Sequence, residues 1–299
     1  MKLLLLGCNG QVGWELQRSL LPLGEVLTCD FDSSVDRRSD FTNPSSVADL
    51  VERIRPDVIV NAAAHTLVDK AEAELERARL INAETVGVVA EQAEKHRALL
   101  VHYSTDYVFD GSGTSRRDEL APTGPLSVYG ITKLEGENLI RASGCRHVIL
   151  RTSWVYAARG QNFIKTMLRL AAEREVLYII NDQIGAPTGA DLLADITAHV
   201  IRSLSENLGE EGTFHCVAKG ETSWFGFAQL VIEWARANGQ GVKVAPEDVR
   251  PILTAQYATP ASRPLNSRLS TEKLERVFSL SLPQWQIGVE RALREICVR

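Results

Sequence analysis

The chain opens on four consecutive leucines, Leu3 to Leu6, that run straight into Gly7, Gly10 and Gly13. A short apolar run stopped by glycine and followed by a helical pattern from near Gln11 reads as a buried strand, a tight turn and a helix. Glycine takes positive φ without steric cost. It also lets the main chain approach a pyrophosphate with no Cβ in the way. The helix start behind it offers unpaired N–H groups and a partial positive charge. The G-x-x-G-x-x-G spacing is therefore that of a candidate dinucleotide turn.

The same alternation continues down the chain. Strands are expected at Lys2–Leu6, Val26–Asp30, Asp57–Asn61, Leu99–Tyr103 and His147–Thr152. Helices are expected between them at Val12–Leu21, Ser45–Ile54, Glu76–Lys95 and Val128–Ala142. Strands and helices in that rhythm predict an α/β fold, a Rossmann-type doubly wound parallel sheet. Continuous apolar strands such as Val58-Ile59-Val60 fit a sheet covered on both faces. Past Thr152 the rhythm loosens. Helices are expected at Asn162–Glu173, Ala190–Leu204, Trp224–Asn238 and Gln286–Cys297, and strands at Leu177–Ile180 and Phe214–Val217. The reading is a dinucleotide-binding domain over 1–152 that also receives part of 177–205. A smaller, mainly C-terminal α/β substrate domain covers 153–299.

Composition excludes several classes. With 299 residues, 44% hydrophobic, the chain can bury a large core. Its formal charge is −5 and no basic run stands out, so nucleic acid is not an expected partner. The five cysteines (Cys8, Cys29, Cys145, Cys216 and Cys297) are scattered, with no C-x-x-C pair, which argues against a zinc ribbon or a disulfide framework. No apolar stretch approaches the roughly 20 residues of a membrane span. The expectation is a soluble cytoplasmic protein without a membrane partner.

Asp30 closes the second strand, 17 residues past Gly13, near the usual place for an acid that bonds an adenosine ribose. A carboxylate there favours NAD, while Arg37 and Arg38 can offset repulsion of a 2′-phosphate, so NADH and NADPH both stay open. Asn61 is followed by Ala62, Ala63, Ala64 and His65. Small residues at a strand's carboxyl end let a flat cofactor lie against the sheet, and His65 is either a cofactor contact or a structural histidine.

Leu99–Tyr103 leads into Ser104-Thr105-Asp106-Tyr107. Tyr129 and Lys133 then lie four apart on a predicted helix, hence on one face. Tyrosine is a poor base at its ordinary pKa of about 10. An ammonium beside it would favour the phenolate and lower that value. Thr105 can donate to a substrate carbonyl oxygen, and Lys133 can hold a nicotinamide ribose. Chance Y-x-x-x-K pairs are common in helices. The glycine turn upstream and the Ser-Thr at a strand end are what lift this one.

These residues resemble the extended short-chain dehydrogenase/reductase family, and within it the reductases of nucleotide-linked 4-keto sugars. The similar segments are Gly7–Gly13, Asn61–Thr66, His102–Phe109, Tyr129–Lys133, Arg151–Tyr156, Asn181–Gly189 and Arg263–Leu269. The resemblance implies an NADPH- or NADH-dependent oxidoreductase that reduces the C4 keto group of a dTDP-linked 4-dehydro-6-deoxy sugar. By resemblance, Thr105, Tyr129 and Lys133 are catalytic. Gln11, Val12, Asp30, Asp40, Phe41, Ala64, His65, Thr66 and Tyr103 line the cofactor, and Asp106 and Trp154 face the sugar nucleotide. For its diphosphate, Asn162, Lys165, Arg263 and Arg268 are candidates, the best being the Arg263–Arg268 segment with Asn266. Some relatives form Mg2+-linked dimers, which implies a metal at Glu15, Asp191 and Glu295 and a homodimer. Asn9 stands where relatives often carry Thr. Family dehydratases carry Thr-Asp-Glu where this chain has Thr105-Asp106-Tyr107, which disfavours water elimination. An epimerase stays open, as does a non-catalytic subunit of the kind that regulates methionine adenosyltransferase.

Overall fold

The structure is a computed structural model that describes residues 1–34 and 37–297. The leucine run forms β1 (Lys2–Leu6), and α1 (Gln11–Leu20) follows the glycine turn. Then come β2 (Glu25–Cys29), α2 (Pro44–Ile54), β3 (Val58–Asn61), α3 (Val68–Ala73), α4 (Leu75–Arg79), α5 (Thr85–His96) and β4 (Leu99–Thr105). After a long loop, α6 (Val128–Ser143) leads into β5 (His147–Thr152). Asn43 and Ser127 start α2 and α6 by accepting from Ser46 and Gly130 N–H groups.

All pairings in the six-stranded sheet are parallel, in the order β10-β5-β4-β3-β1-β2, where β10 is Gly212–His215. The chain leaves β1 for β2 on one side and returns to β3 on the other. That reversal opens a crevice at the carboxyl ends of β1 and β3, the place where open α/β sheets bind ligands. Alternation along the strands decides what each face buries. Leu3, Leu5, Val58, Val60, Leu99 and Val101 share one core with α1 and with α8 (Ala190–Ser205). Leu4, Leu6, Ile59 and Leu100 share another with α2 and α5. Leu3 to Leu6 are fully buried, each contributing about 1.5–3 kcal/mol of transfer free energy.

Beyond β5 the chain forms β6 (Val155–Tyr156), α7 (Phe163–Glu173), β7 (Leu177–Ile180), β8 (Ile184–Gly185), β9 (Thr188–Gly189), β11 (Thr222–Ser223), α9 (Trp224–Ala237), β12 (Val249–Ile252), α10 (Glu272–Phe278) and α11 (Trp285–Cys297). Strand pairs β6–β9, β8–β11 and β7–β12 lie outside the main sheet. A separate apolar cluster joins α7, α9 and α11 through Ile164, Phe227 and Val289. Of the stretch 177–205, α8 packs on α1, whereas β7 pairs with β12; the sixth strand of the main sheet comes from 212–215.

The helix expected over Glu76–Lys95 is broken. A π-helical turn at Leu80–Glu84 separates α4 from α5. Apolar periodicity cannot register one wide turn, which is set by what it holds. Fully buried Asn82 accepts from His65 N at 2.8 Å and donates to His65 O at 3.1 Å and Thr132 Oγ1 at 3.2 Å.

Candidate active site

The glycine turn is tight for steric reasons. Gly7 has φ +79°, and a Cβ there would sit 2.6 Å from the Ala63 nitrogen. A Cβ on Gly13 would sit 2.0 Å from the Gly7 carbonyl oxygen. Gly10 starts α1 with no side-chain cap, so Gln11, Val12 and Gly13 leave first-turn N–H groups free of a side-chain partner. Buried Asp30 accepts from Asn9 N and Phe31 N, both at 2.8 Å, and Asn9 Nδ2 bonds Asp32 at 2.7 Å. Asn9 thus supplies the local hydrogen bonding its position needs. The half-buried N-terminal turn of α1, beside a fixed carboxylate at the end of β2, fits a pyrophosphate with its ribose.

Asp40 accepts from the Thr42 hydroxyl at 2.6 Å, which holds its carboxyl below the usual range. Phe41 is buried, and its carbonyl accepts from the Thr85 hydroxyl at 2.8 Å. Ala62, Ala63 and Ala64 follow β3, with Ala63 N held by Asn61 Oδ1 at 3.1 Å. His65 is buried, its Nε2 3.2 Å from Glu74, while Thr66 is exposed.

At the end of β4 the Thr105 side chain accepts from Tyr107 N at 3.2 Å and donates to Asp106 Oδ1 at 3.1 Å. Burial pushes Asp106 up to about 6, with the Ser267 and Thr105 hydroxyls opposing. Tyr107 meets Tyr129 edge to face, with ring centroids 5.5 Å apart.

The expectation that an ammonium lowers the Tyr129 pKa is corrected here. Burial, reinforced by the Asp106 charge, pushes the phenol up to about 12, with Thr105 opposing. The Lys133 Nζ is occupied elsewhere. It donates to the Tyr103 carbonyl at 2.6 Å and lies 3.0 Å from His102 Nε2. Burial lowers Lys133 to about 8, while Glu137 pulls the other way.

Strand alternation explains this arrangement. His102 and Ser104 point to α6, where they meet Lys133 and Glu137. The Tyr103 ring points to α8, where its hydroxyl lies 2.5 Å from the Thr197 hydroxyl. Tyr103 therefore reaches the site through its carbonyl. Sequence reasoning passed over Glu137 and Arg151. Glu137 continues the face of Tyr129 and Lys133 by one more helical step. Its carboxylate accepts from Arg151 Nε at 2.9 Å and Nη2 at 2.7 Å.

Among the sugar-nucleotide candidates, Trp154 stands at φ 49° and stacks on Trp224 with centroids 3.7 Å apart. Arg263 pairs with Asp69 at 2.7 Å, and Arg268 with Glu221 at 3.1 Å. Asn162 starts α7, and its Nδ2 donates to Gln11 Oε1 at 2.9 Å and Ala157 O at 2.6 Å. Asn266 is buried and donates to Ser115 O at 2.9 Å. Both amides thus hold chain segments in place.

Glu15, Asp191 and Glu295 do line one cavity, with Trp14, Arg18 and Arg291. The structure does not support a metal at these three residues. Among the described residues no three acidic, His or Cys side chains converge as a metal-ligating group. Asp191 already pairs with Arg291 at 2.8 Å, and burial, with the Asp191 charge, raises the Glu15 carboxyl.

A parallel sheet with a glycine turn at its reversal point, and a Tyr-x-x-x-Lys helix beside the end of β4, define the class: a Rossmann-type short-chain dehydrogenase/reductase. The chain belongs to the RmlD substrate binding domain family, whose model matches residues 1–298. It is 54% identical over 296 residues to dTDP-4-dehydrorhamnose reductase of Escherichia coli K12, covering 99% of this chain and 98% of that one. It is 44% identical over 300 residues to the same-named protein of Burkholderia thailandensis, covering 99% of each. The fold matches a crystal structure of dTDP-4-dehydrorhamnose reductase from Bacillus anthracis in complex with NADP, with TM-score 0.88, 35% identity, and 99% of this chain and 100% of that one covered.

Proposed function

We propose that the chain reduces the C4 keto group of dTDP-4-dehydrorhamnose to give dTDP-L-rhamnose, using NADPH or NADH. The observation that carries the reading is Tyr129 on α6 beside Thr105 at the end of β4, with Lys133 buried one helical turn further on. The relatives named above, similar along their whole length, support the sugar and the nucleotide.

The bound cofactor supplies the hydride. A phenol held at about 12 stays protonated at neutral pH, so Tyr129 is set to give a proton to the C4 oxygen as charge develops there. Thr105 stabilises the same oxygen with its hydroxyl. Asp106 and Trp154 face the sugar, and the α1 N-terminus with Asp30 receives the pyrophosphate and ribose. Water elimination would need a second acid–base group at position 107. Burial raises the Tyr107 phenol too far for it to act as a base. A regulatory subunit would need none of this hydroxyl and lysine set. Free cysteines, four of them buried, suit the reducing cytoplasm, and no described helix is long and apolar enough to cross a membrane.

The test is cofactor oxidation on adding the dTDP-linked 4-keto sugar, run with NADPH and NADH and against the GDP-linked sugar. Consumption with the dTDP sugar is expected. No consumption with either cofactor would overturn the reading.

A further inference from the structure

Behind Lys133 lies a buried chain of side chains that neither the glycine turn nor the hydroxyls of Tyr129 and Thr105 account for. Asn61 on β3 and His102 on β4 are directly opposed in the sheet. Asn61 Nδ2 lies 3.1 Å from His102 Nδ1, and His102 Nε2 lies 3.0 Å from Lys133 Nζ. All three side chains are buried.

The direction of each bond follows from one fixed point. Ala63 N–H can only donate, and it donates to Asn61 Oδ1 at 3.1 Å. The Asn61 amide is therefore oriented with its NH2 toward His102. His102 Nδ1 must accept. Burial and the neighbouring lysine keep the imidazole neutral, and a neutral imidazole carries one N–H. That proton sits on Nε2, aimed at Lys133 Nζ. An ammonium has no lone pair to receive it; a neutral amine does. The same Nζ still donates to the Tyr103 carbonyl at 2.6 Å, which an amine can do.

We infer that Asn61 and His102 are a positioning pair that favours the neutral amine of Lys133 and so sets the proton affinity of the lysine that supports Tyr129. This rests on the Tyr129–Lys133 reading above and deepens it. When Tyr129 has given its proton to the C4 oxygen, its phenolate must regain one. A lysine of lowered proton affinity gives up its proton more readily, and the buried Asn61–His102 pair sets how readily Lys133 does so. Other charged groups near Lys133 are Glu137 on the same helix, whose charge is met by Arg151 and Arg141, and Asp106 beside Tyr129.

The experiment uses the full chain without cofactor, 15N-labelled at histidine, with the His102 signal assigned by its loss in His102→Gln. At pH 9 an ordinary lysine is still an ammonium. The expected result is the Nε2–H tautomer of His102 at that pH; an Nδ1–H tautomer or an imidazolium would overturn the inference. Asn61→Asp supplies the second arm. Its carboxylate accepts from Nδ1–H, so Nε2 becomes an acceptor and the ammonium is favoured. The alkaline limb of kcat/KM, where the ammonium is lost, should then move up by about one pH unit. A folded Asn61→Asp protein with an unmoved limb would also overturn it. If that variant does not fold, the wild-type spectrum decides alone. Failure of the reductase reading would show separately, as absent turnover with the tautomer unchanged.

Discussion

Glu137 and Arg151 form a two-pronged ion pair, 2.9 and 2.7 Å, that is buried on both sides and lies one helical turn past Lys133. Ser104 adds a third bond to the same carboxylate at 2.5 Å. The pair ties α6 to β4 and β5, the elements that carry Lys133, Thr105 and Arg151 itself.

Breaking that pair from one side leaves a charge with no partner in the core. Glu137→Ala should destabilise the protein by about 3–5 kcal/mol. A double change of both residues to methionine should cost much less, because no uncompensated charge remains. Denaturant unfolding of the two variants measures the contrast.

Tyr129→Phe keeps the ring against Tyr107 and removes only the hydroxyl. Turnover should fall by about 10²–10⁴-fold, with cofactor and sugar-nucleotide affinities little changed. Steady-state rates and calorimetric titration check the two halves of that statement. A variant retaining most of its turnover would end the proton-donor role.

Asp106 opposes folding when it is charged. Its pKa is raised from the usual carboxylate range to about 6, so its favourable contribution to folding is complete below about pH 4 and is lost as pH rises through 6. Asp106→Asn should therefore stabilise the fold at pH 7 by about 2–3 kcal/mol, a gain that shrinks toward pH 4. The same change should weaken sugar-nucleotide turnover. Thermal unfolding at both pH values, with KM for the sugar, provides the check.

Lys133 behaves in the opposite sense. Its pKa is lowered to about 8, so the folded state penalises the ammonium. The penalty is full below about pH 8 and fades toward pH 10.5 as the unfolded chain also loses the proton. Lys133→Met should gain stability relative to wild type by about 2 kcal/mol more at pH 7 than at pH 10. Its reductase activity should be lost at both. Equal differences at the two pH values would contradict the burial argument.

Much of this was legible locally. β1, β5 and β7 fall on the expected residues, and most helices agree to within a residue or two. The glycine turn and the Tyr129–Lys133 spacing are local too, since backbone clearance and a helical face depend on near neighbours. The π-helical turn at Leu80–Glu84 was not legible, because its reason is Asn82 bonding His65 and Thr132 from elsewhere in the chain. Nor was the grip of Asn162 on Gln11, 151 residues away.

By itself, then, the order of residues determined the α/β alternation, the strand–glycine–helix start and the placing of a phenol and an amine on one helical face. Tertiary structure decided what those groups meet. Strand alternation turned His102 and Ser104 toward α6 and Tyr103 toward α8, and it brought Asn61 across to orient the imidazole. The physical reason is that a buried donor or acceptor must find its partner among whatever the folded chain sets beside it, and those partners lie tens to hundreds of residues away.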